Sequence, residues 1–335
     1  MRILLICNYK PGVGGISGQV EILQQKLRRE GHTADIFSTK GSVFWRLGLF
    51  CNLRRVARNY DVLHIHCCSG WGFLPAVVGV AVGRRLKKRV VLTYHGGGGE
   101  RFFDKHTRLV KHYLTRTDAN IVLSGFLAKV FDNHHLPYSI IPNIIELDEG
   151  HYRERASIQP NFICVRAHEP LYNIPCILQA FQKVLTELPE ATLTLVGNGS
   201  QHEALITIAK EMGLKNVSFT GRVYNKEIYQ YLDKADIMLS SPKVDNMPVS
   251  LLEAMNAGLL VISSNVGGVP YMIEDNKTGY LFPSDDSNTL ARLMIQAVQQ
   301  SSESTAIIRN AHRAVNAYRW ENIKDKLYHT YGFSS

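Results

Sequence analysis

Two carboxylates eight positions apart, Asp245 and Glu253, carry the strongest chemical signal in the chain. They lie in the run Asp245-Asn-Met-Pro-Val-Ser-Leu-Leu-Glu253-Ala-Met-Asn-Ala-Gly258. Asn246 can cap a helix, Pro248 suits a first helical position and Gly258 is a natural stop, so the spacing predicts a helix over 248–257 with Asp245 on the loop before it. Glu253 then sits among Leu251, Leu252, Ala254 and Met255, with no Lys or Arg in the run. An ionised carboxylate buried without compensation costs several kcal/mol, so Glu253 must be paired, hydrated or matched to donors on a ligand. A vicinal diol is one such ligand group, because both hydroxyls can donate to one carboxylate, and a ribose ring offers it. Asp245 could hold hydroxyls of a second ring while the helix N-terminus faces the negative charge between the two rings. That describes a nucleotide-diphosphate sugar lying across a helix start. The alternative is an ordinary amphipathic helix whose Glu pairs with a distant Arg.

Two further stretches have the composition of ligand sites. Pro11-Gly12-Val-Gly14-Gly15-Ile-Ser17-Gly18 falls between a strand and a helix, where exposed N–H groups and the helix dipole attract phosphate. It fails the dinucleotide fingerprint, because Ser17 occupies the place of the third glycine and the second strand ends in Phe37-Ser38-Thr39-Lys40 without an acid for the ribose. A nicotinamide dehydrogenase is therefore disfavoured. Tyr94-His95-Gly96-Gly97-Gly98-Gly99 follows a strand, which puts His95 at the carboxyl edge of a sheet with glycines that allow another molecule to approach.

The elements that must position these residues alternate regularly. Strands are expected at 2–7, 33–38, 61–67, 89–94, 120–124 and 139–142, with helices at 17–30, 42–59, 71–83, 100–116 and 125–134. A polar stretch over 143–159 reads as a linker. A second α/β run follows, with strands at 162–165, 192–196, 217–220, 237–240 and 259–263 and helices at 175–188, 200–212, 225–235 and 248–257. Helices near 286–300, 303–317 and 320–331 complete the chain. The fold class is α/β, with two Rossmann-like doubly wound parallel-sheet domains, 1–145 and 146–317.

A length of 335 residues with 45% hydrophobic and 20% charged residues suits two globular domains. Cys7, Cys51, Cys67, Cys68, Cys164 and Cys176 form no C-x-x-C pair and read as core residues in a reducing compartment. No signal peptide is expected at the N-terminus, because the first apolar run is short and leads into the glycine loop. Residues 1–145 hold 21 Lys+Arg against 8 Asp+Glu. Helix 42–59, with Trp45, Leu49, Leu53 and Val56 on one side and Arg54, Arg55 and Arg58 near its end, joins Arg84-Arg85-Leu-Lys87-Lys88-Arg89 as a possible contact for anionic lipid. A helix covering the sheet with a solvated basic edge is the alternative.

Four submotifs together, Asp245-x7-Glu253, Gly258-Leu-Leu-Val-Ile, Gly267-Gly268-Val-Pro270 and Thr278-Gly279-Tyr-Leu-Phe-Pro283, resemble the retaining GT-B glycosyltransferases that carry an E-x7-E signature, family 4, group 1. The resemblance implies two domains facing a cleft, with the last helix, 318–335, packing back on the first. It implies transfer of a sugar from a nucleotide-diphosphate sugar to a glycan or lipid-linked acceptor, in cell-surface polysaccharide, lipopolysaccharide or glycolipid synthesis. Catalysis would need no metal or other cofactor, and no nucleic acid would take part. The protein would be cytoplasmic, and peripheral on the membrane. By the same resemblance His95 touches the reacting sugar, Asp245 holds its hydroxyls and Glu253 holds the ribose. Arg166 and the backbone at Gly14, Gly15, Val249 and Ser250 neutralise the diphosphate. Asn198 and Val223 line the nucleotide pocket, and Asn143 shapes the linker. The chain departs from the pattern at Asp245, usually Glu, at Pro248, often Gly, and at Tyr172, which stands where the family has Lys. Lys243 or Arg222 is the expected substitute for that cation. A nucleotide-sugar epimerase of the same architecture, or a non-catalytic sugar-nucleotide-binding partner subunit, remains an alternative.

Overall fold

The computed structural model describes residues 1–11, 15–41, 43–145, 152–224 and 227–333, without the side chains of 43–47. The chain divides into two compact units, residues 1–146 with 318–335, and residues 147–317.

Unit 1 is built on six parallel strands, β1 (Arg2–Cys7), β2 (Thr33–Ser38), β3 (Val62–Cys67), β4 (Arg89–Tyr94), β5 (Ala119–Val122) and β6 (Ser139–Ile140), in the order β2-β1-β3-β4-β5-β6. The crossovers are α1 (Ile16–Arg29), α2 (Val43–Ala57), α3 (Leu74–Leu86), α4 (Gly99–Lys105), α5 (Thr107–Leu114) and α6 (Gly125–Asn133). Side chains alternate across the sheet with the two-residue period of a strand. Leu63, Ile65 and Leu92 join the core under α2 and α3, while Val62, Val91 and Ile121 join the opposite core with Val20, Leu23 and Leu27 of α1.

Three expectations need correction here. The helix expected over 100–116 is two helices, because His106 leaves helical geometry at φ −125°, ψ 32°. The one expected from Trp71 begins at Leu74, and Trp71 stands 82% exposed in the turn before it. Cys51 is exposed, not in the core.

Unit 2 repeats the plan with β7 (Asn161–Val165), β8 (Thr192–Val196), β9 (Val217–Gly221), β10 (Ile237–Ser240), β11 (Leu260–Ser264) and β12 (Tyr280–Phe282), ordered β12-β11-β10-β7-β8-β9. Its helices are α7 (Ile174–Glu187), α8 (His202–Glu211), α9 (Ile228–Leu232), α10 (Val249–Asn256), α11 (Ser287–Gln299) and α12 (Ser301–Val315). From β7 the chain winds outward through β8 and β9, and from β10 it winds the other way. The strand order therefore reverses between β7 and β10, and the carboxyl ends at such a reversal are where open α/β sheets bind ligands. Arg155 and Asp236, both buried, meet at 2.9 Å beneath this sheet. Arg155 also donates to the Ala257 carbonyl at 2.9 Å, satisfying a backbone acceptor at the end of α10.

The C-terminal helix, α13 (Trp320–Tyr331), belongs to unit 1. It buries Trp320, Ile323, Leu327 and Tyr331 at i, i+3, i+7 and i+11 against the α1 side of the sheet. Trp320 Nε1 donates to Glu30 at 2.9 Å, and Arg89 Nε donates to the Thr330 carbonyl at 2.8 Å.

Candidate functional site

In unit 2 the reversal of strand order brings charge together. Arg166 directly follows β7, and its guanidinium donates to Ser240 Oγ, the last residue of β10, at 3.1 Å through Nη2. Its Nη1 lies 3.1 Å from Asp245 Oδ2, an ion pair with both side chains largely buried. The Tyr172 ring lies across the same guanidinium, 5.2 Å from its carbon to the ring centroid. The aromatic residue in the family's lysine position thus faces the arginine as a cation–π partner and adds no second charge. Ser241 Oγ fixes that turn by donating to the carbonyls of Tyr172 and Asn173.

The Asp245 loop is held from behind. Gly268 donates its N–H to the Asp245 carbonyl at 2.9 Å, and a Cβ on Gly267, at φ +54°, would lie 2.0 Å from that oxygen. Only glycine fits so close an approach. Asp245 Oδ1 accepts from the Asn246 N–H at 2.8 Å. The helix differs from its expected start. Pro248 is the N-cap of α10 and not its first helical residue, and no side chain caps it. The first-turn amides of Val249 and Ser250 are the positive end of that helix. Ser250 Oγ is buried with no hydrogen-bond partner among the described residues. Glu253 lies one turn further on. Burial pushes its carboxyl up to about 7, against the opposing pull of the Arg166 charge.

The other residues of unit 2 surround this centre unevenly. Gly197 packs where a Cβ would lie 1.9 Å from the Arg166 carbonyl. Next to it, the exposed Asn198 accepts the His168 N–H through its own carbonyl at 3.1 Å. Val223 lies two residues beyond Gly221, which ends β9 at φ +69°. Neither expected substitute cation joins the Arg166 cluster. Lys243 is exposed and lies 3.5 Å from Asp285, and Arg222 is exposed.

Unit 1 presents a different chemistry. His95 leaves the carboxyl end of β4 half-buried, and its N–H is held by the Cys67 carbonyl at 2.8 Å. Its Nε2 lies 3.0 Å from His66 Nδ1. His64, two residues before His66 on the same face of β3, makes 2.7 and 2.8 Å bonds to the Tyr331 hydroxyl and Thr93 Oγ1. Burial holds all three imidazoles below the usual histidine range, His64 at about 3, His95 at about 4 and His66 well down. A cavity of about 40 Å³ opens among Gln19, His64, His66, His95 and Asn143. Asn143, assigned only to the linker by resemblance, therefore lies on the same cavity as His95.

At the glycine loop, Gly15 holds φ +69° ahead of α1, and the buried Ser17 accepts the Lys10 N–H at 3.1 Å. Ser17 thus closes the loop at the position where a dinucleotide fingerprint needs glycine. Gly14 and the Trp45 side chain lie outside the described residues. Sequence reading missed His64, His66 and Tyr331. The available signal was the spacing His64-x-His66 inside a fully buried strand, which puts both rings on one face.

No group of three or more His, Cys, Asp or Glu side chains is placed to hold a metal ion among the described residues, and no helix there is long and apolar enough to cross a membrane.

Comparison with known proteins adds a family pattern. The family model described as Glycosyl transferases group 1 matches residues 153–314, and that of Glycosyltransferase Family 4 matches residues 39–149. N-acetyl-alpha-D-glucosaminyl L-malate synthase of Bacillus anthracis is 26% identical over 76% of this chain and 70% of that protein. Phosphatidyl-myo-inositol mannosyltransferase of Mycolicibacterium smegmatis is 22% identical over 99% of this chain and 93% of its own length. The solved structure of Anabaena HepE in complex with UDP and glucose shares the fold at a TM-score of 0.81 and 18% identity, covering 99% of each chain.

Proposed function

This chain belongs to the group 1, family 4 glycosyltransferases and has their GT-B architecture, and on that premise we propose that it uses a nucleotide-diphosphate sugar and retains the anomeric configuration. The observation that carries the reading is the guanidinium of Arg166, largely buried beside the start of α10 and the Asp245 carboxylate. A buried cation with a helix N-terminus close by is built for a diphosphate, whose charge grows as the sugar departs. Asp245 neutralises Arg166 when no donor is present. Donor phosphates take over that pairing and release Asp245 towards the hydroxyls of the sugar. Glu253 accepts both ribose hydroxyls. Val249 and Ser250 supply backbone donors, and the backbone near Asn198 and Val223 borders the base. His95 acts on the reacting sugar. Leaving-group stabilisation by Arg166 and these amides replaces a metal ion.

The acceptor class we propose is a glycan or a lipid-linked sugar at an anionic membrane surface. The exposed Arg54, Arg55, Arg58, Arg85 and Lys87 support it, since each basic residue near such a surface adds about 1 kcal/mol. What the mannosyltransferase relative's name says of its phosphatidyl-myo-inositol substrate agrees with this class.

A thermal-shift panel of nucleoside diphosphates and their sugar conjugates, in EDTA, tests the donor site. Ligand at about 100 times its Kd adds roughly 2.7 kcal/mol. A selective shift that disappears in Glu253→Ala is expected, with NMR of the product then showing the donor's own anomer. An unshifted panel, or an inverted product, overturns the reading.

A further inference from the structure

The histidine cluster of unit 1 contains a group that the transfer reaction, as assigned above, does not use. His66 is 4% exposed, its Nδ1 faces His95 Nε2 at 3.0 Å, and its Nε2 is buried with no hydrogen-bond partner among the described residues. A buried polar nitrogen left alone is costly, and His66 borders a cavity of about 40 Å³ that is large enough for water and whose mostly apolar lining includes Gln19, Thr93, His95 and Asn143 as polar partners. A neutral imidazole has one N–H, so a bond between two neutral rings couples their tautomers. If His95 donates from Nε2, its Nδ1 is a bare acceptor and His66 carries its proton on Nε2. If His66 donates from Nδ1, His95 Nδ1 carries the proton and His66 Nε2 is bare. What the cavity offers to His66 Nε2 is therefore coupled to whether His95 carries its proton on Nε2 or on Nδ1.

We propose that His66 is a positioning residue for His95, fixing the plane of its ring and selecting its tautomer through a hydrogen bond completed by cavity water. The surroundings suit this role. Both rings sit at adjacent strand ends, β3 and β4, where the pairing Cys67 with Tyr94 fixes their separation. The His66 ring is tilted 31° from that of His95 at 5.3 Å, and His64 packs 4.2 Å behind it, itself tied at both nitrogens. His66 therefore has little room to turn away. The proposal rests on the placement of His95 at the reacting sugar.

Two near-isosteres separate the functions of the two nitrogens. His66→Asn keeps a polar atom near the Nδ1 position, and His66→Gln keeps one near Nε2. His66→Gln is expected to lower kcat about 10- to 100-fold, the range seen when a partner that orients a functional histidine is removed. Donor KM and the nucleotide-induced thermal shift, set by unit 2, should stay unchanged. His66→Asn, which keeps the orienting bond, should recover part of the loss. Nitrogen-15 NMR of the imidazoles reads the tautomer directly without turnover: one tautomer at His95 in the wild type and a mixture in both variants, since the His66→Asn amide keeps the orienting bond but can offer His95 either its oxygen or its nitrogen. Equal kcat in all three proteins, or the same His95 tautomer in His66→Gln as in the wild type, overturns the proposal. A wild type that binds donor but transfers nothing refutes the transferase reading instead, and the NMR comparison still decides the role of His66.

Discussion

The two units share one fold plan and place different chemistry at the same edge of it. At the carboxyl ends of β7 and β10, unit 2 gathers Arg166, Asp245 and Glu253, a cation between two acids. At the carboxyl ends of β3 and β4, unit 1 gathers His66 and His95, with His64 behind them, all held neutral by burial. Sheet topology decides where a site can form, and the residues at the strand ends decide whether it stabilises charge or exchanges single hydrogen bonds. The contrast predicts that unit 2 answers to removal of charge and unit 1 to removal of hydrogen-bonding geometry.

The largest expected effect breaks the charged side. Arg166→Met removes the cation from the departing diphosphate, and loss of one such donor typically costs about 10²–10³ in turnover. Asp245 also loses its ion-pair partner and Glu253 the charge that favours its ionised form, so unit 2 should become less stable at neutral pH while unit 1 does not. Steady-state kinetics with the donor found in the thermal-shift panel gives the first quantity. A loss below fivefold would mean that another cation serves the diphosphate.

Acid and base should separate the units with opposite signs. The usual histidine value is 6.5, and His64 and His95 stay neutral down to about 3 and 4. As pH falls below 6.5 the unfolded chain takes up protons that the folded one refuses, so unit 1 loses stability towards acid. Glu253 behaves the other way. Its folded carboxyl holds a proton up to about 7 while the unfolded one ionises near 4.5, so its contribution to unit 2 falls as pH rises from 4.5 to 7 and is level above. Donor binding to the ionised form should strengthen across the same window. All three tryptophans, Trp45, Trp71 and Trp320, belong to unit 1, so their fluorescence in urea follows unit 1 while far-UV circular dichroism follows both. Glu253→Gln should gain on the wild type steadily between pH 4.5 and 7 in the dichroism alone. A fluorescence midpoint unchanged between pH 7 and 5 would contradict the neutral histidine cluster.

How much of this was legible beforehand depends on the range of each interaction. Strands such as 2–7 and 237–240 show as short apolar runs with turns beside them, because burial on both faces of a parallel strand is a local constraint. The Asp245 and Glu253 pair was legible from nine residues of sequence. The start of α10 was not, because Pro248 satisfies the rules for two adjacent positions and only its ψ of 111° places it at the cap. Partnerships across long separations leave no local trace. Arg155 meets Asp236 across 81 positions and His64 meets Tyr331 across 267, and each was invisible until the sheet was assembled. The position of Arg166 was legible by resemblance alone, and its stacking on Tyr172 was not. Lys243 was a reasonable substitute by charge, and its place beside Asp285 at 3.5 Å was not legible.

The finest test of the contrast uses two tyrosines, one serving each site with a different part of the side chain. Tyr331 reaches His64 Nδ1 with its hydroxyl at 2.7 Å, deep in unit 1 where neither atom meets solvent. Tyr331→Phe deletes that oxygen, leaves a buried ring nitrogen without its partner, and should cost unit 1 about 1–3 kcal/mol by tryptophan fluorescence in urea. Tyr172 serves Arg166 with its ring face. Tyr172→Phe keeps the face, so donor turnover and unit 2 stability should stay close to wild type. Tyr172→Leu removes the quadrupole and should weaken unit 2 by about 0.5–1 kcal/mol, with a matching rise in donor KM as Arg166 loses its support. If Tyr172→Phe proved as damaging as Tyr172→Leu, the hydroxyl would be the working group, and the phenol would be a hydrogen-bond donor to the diphosphate in place of the missing lysine.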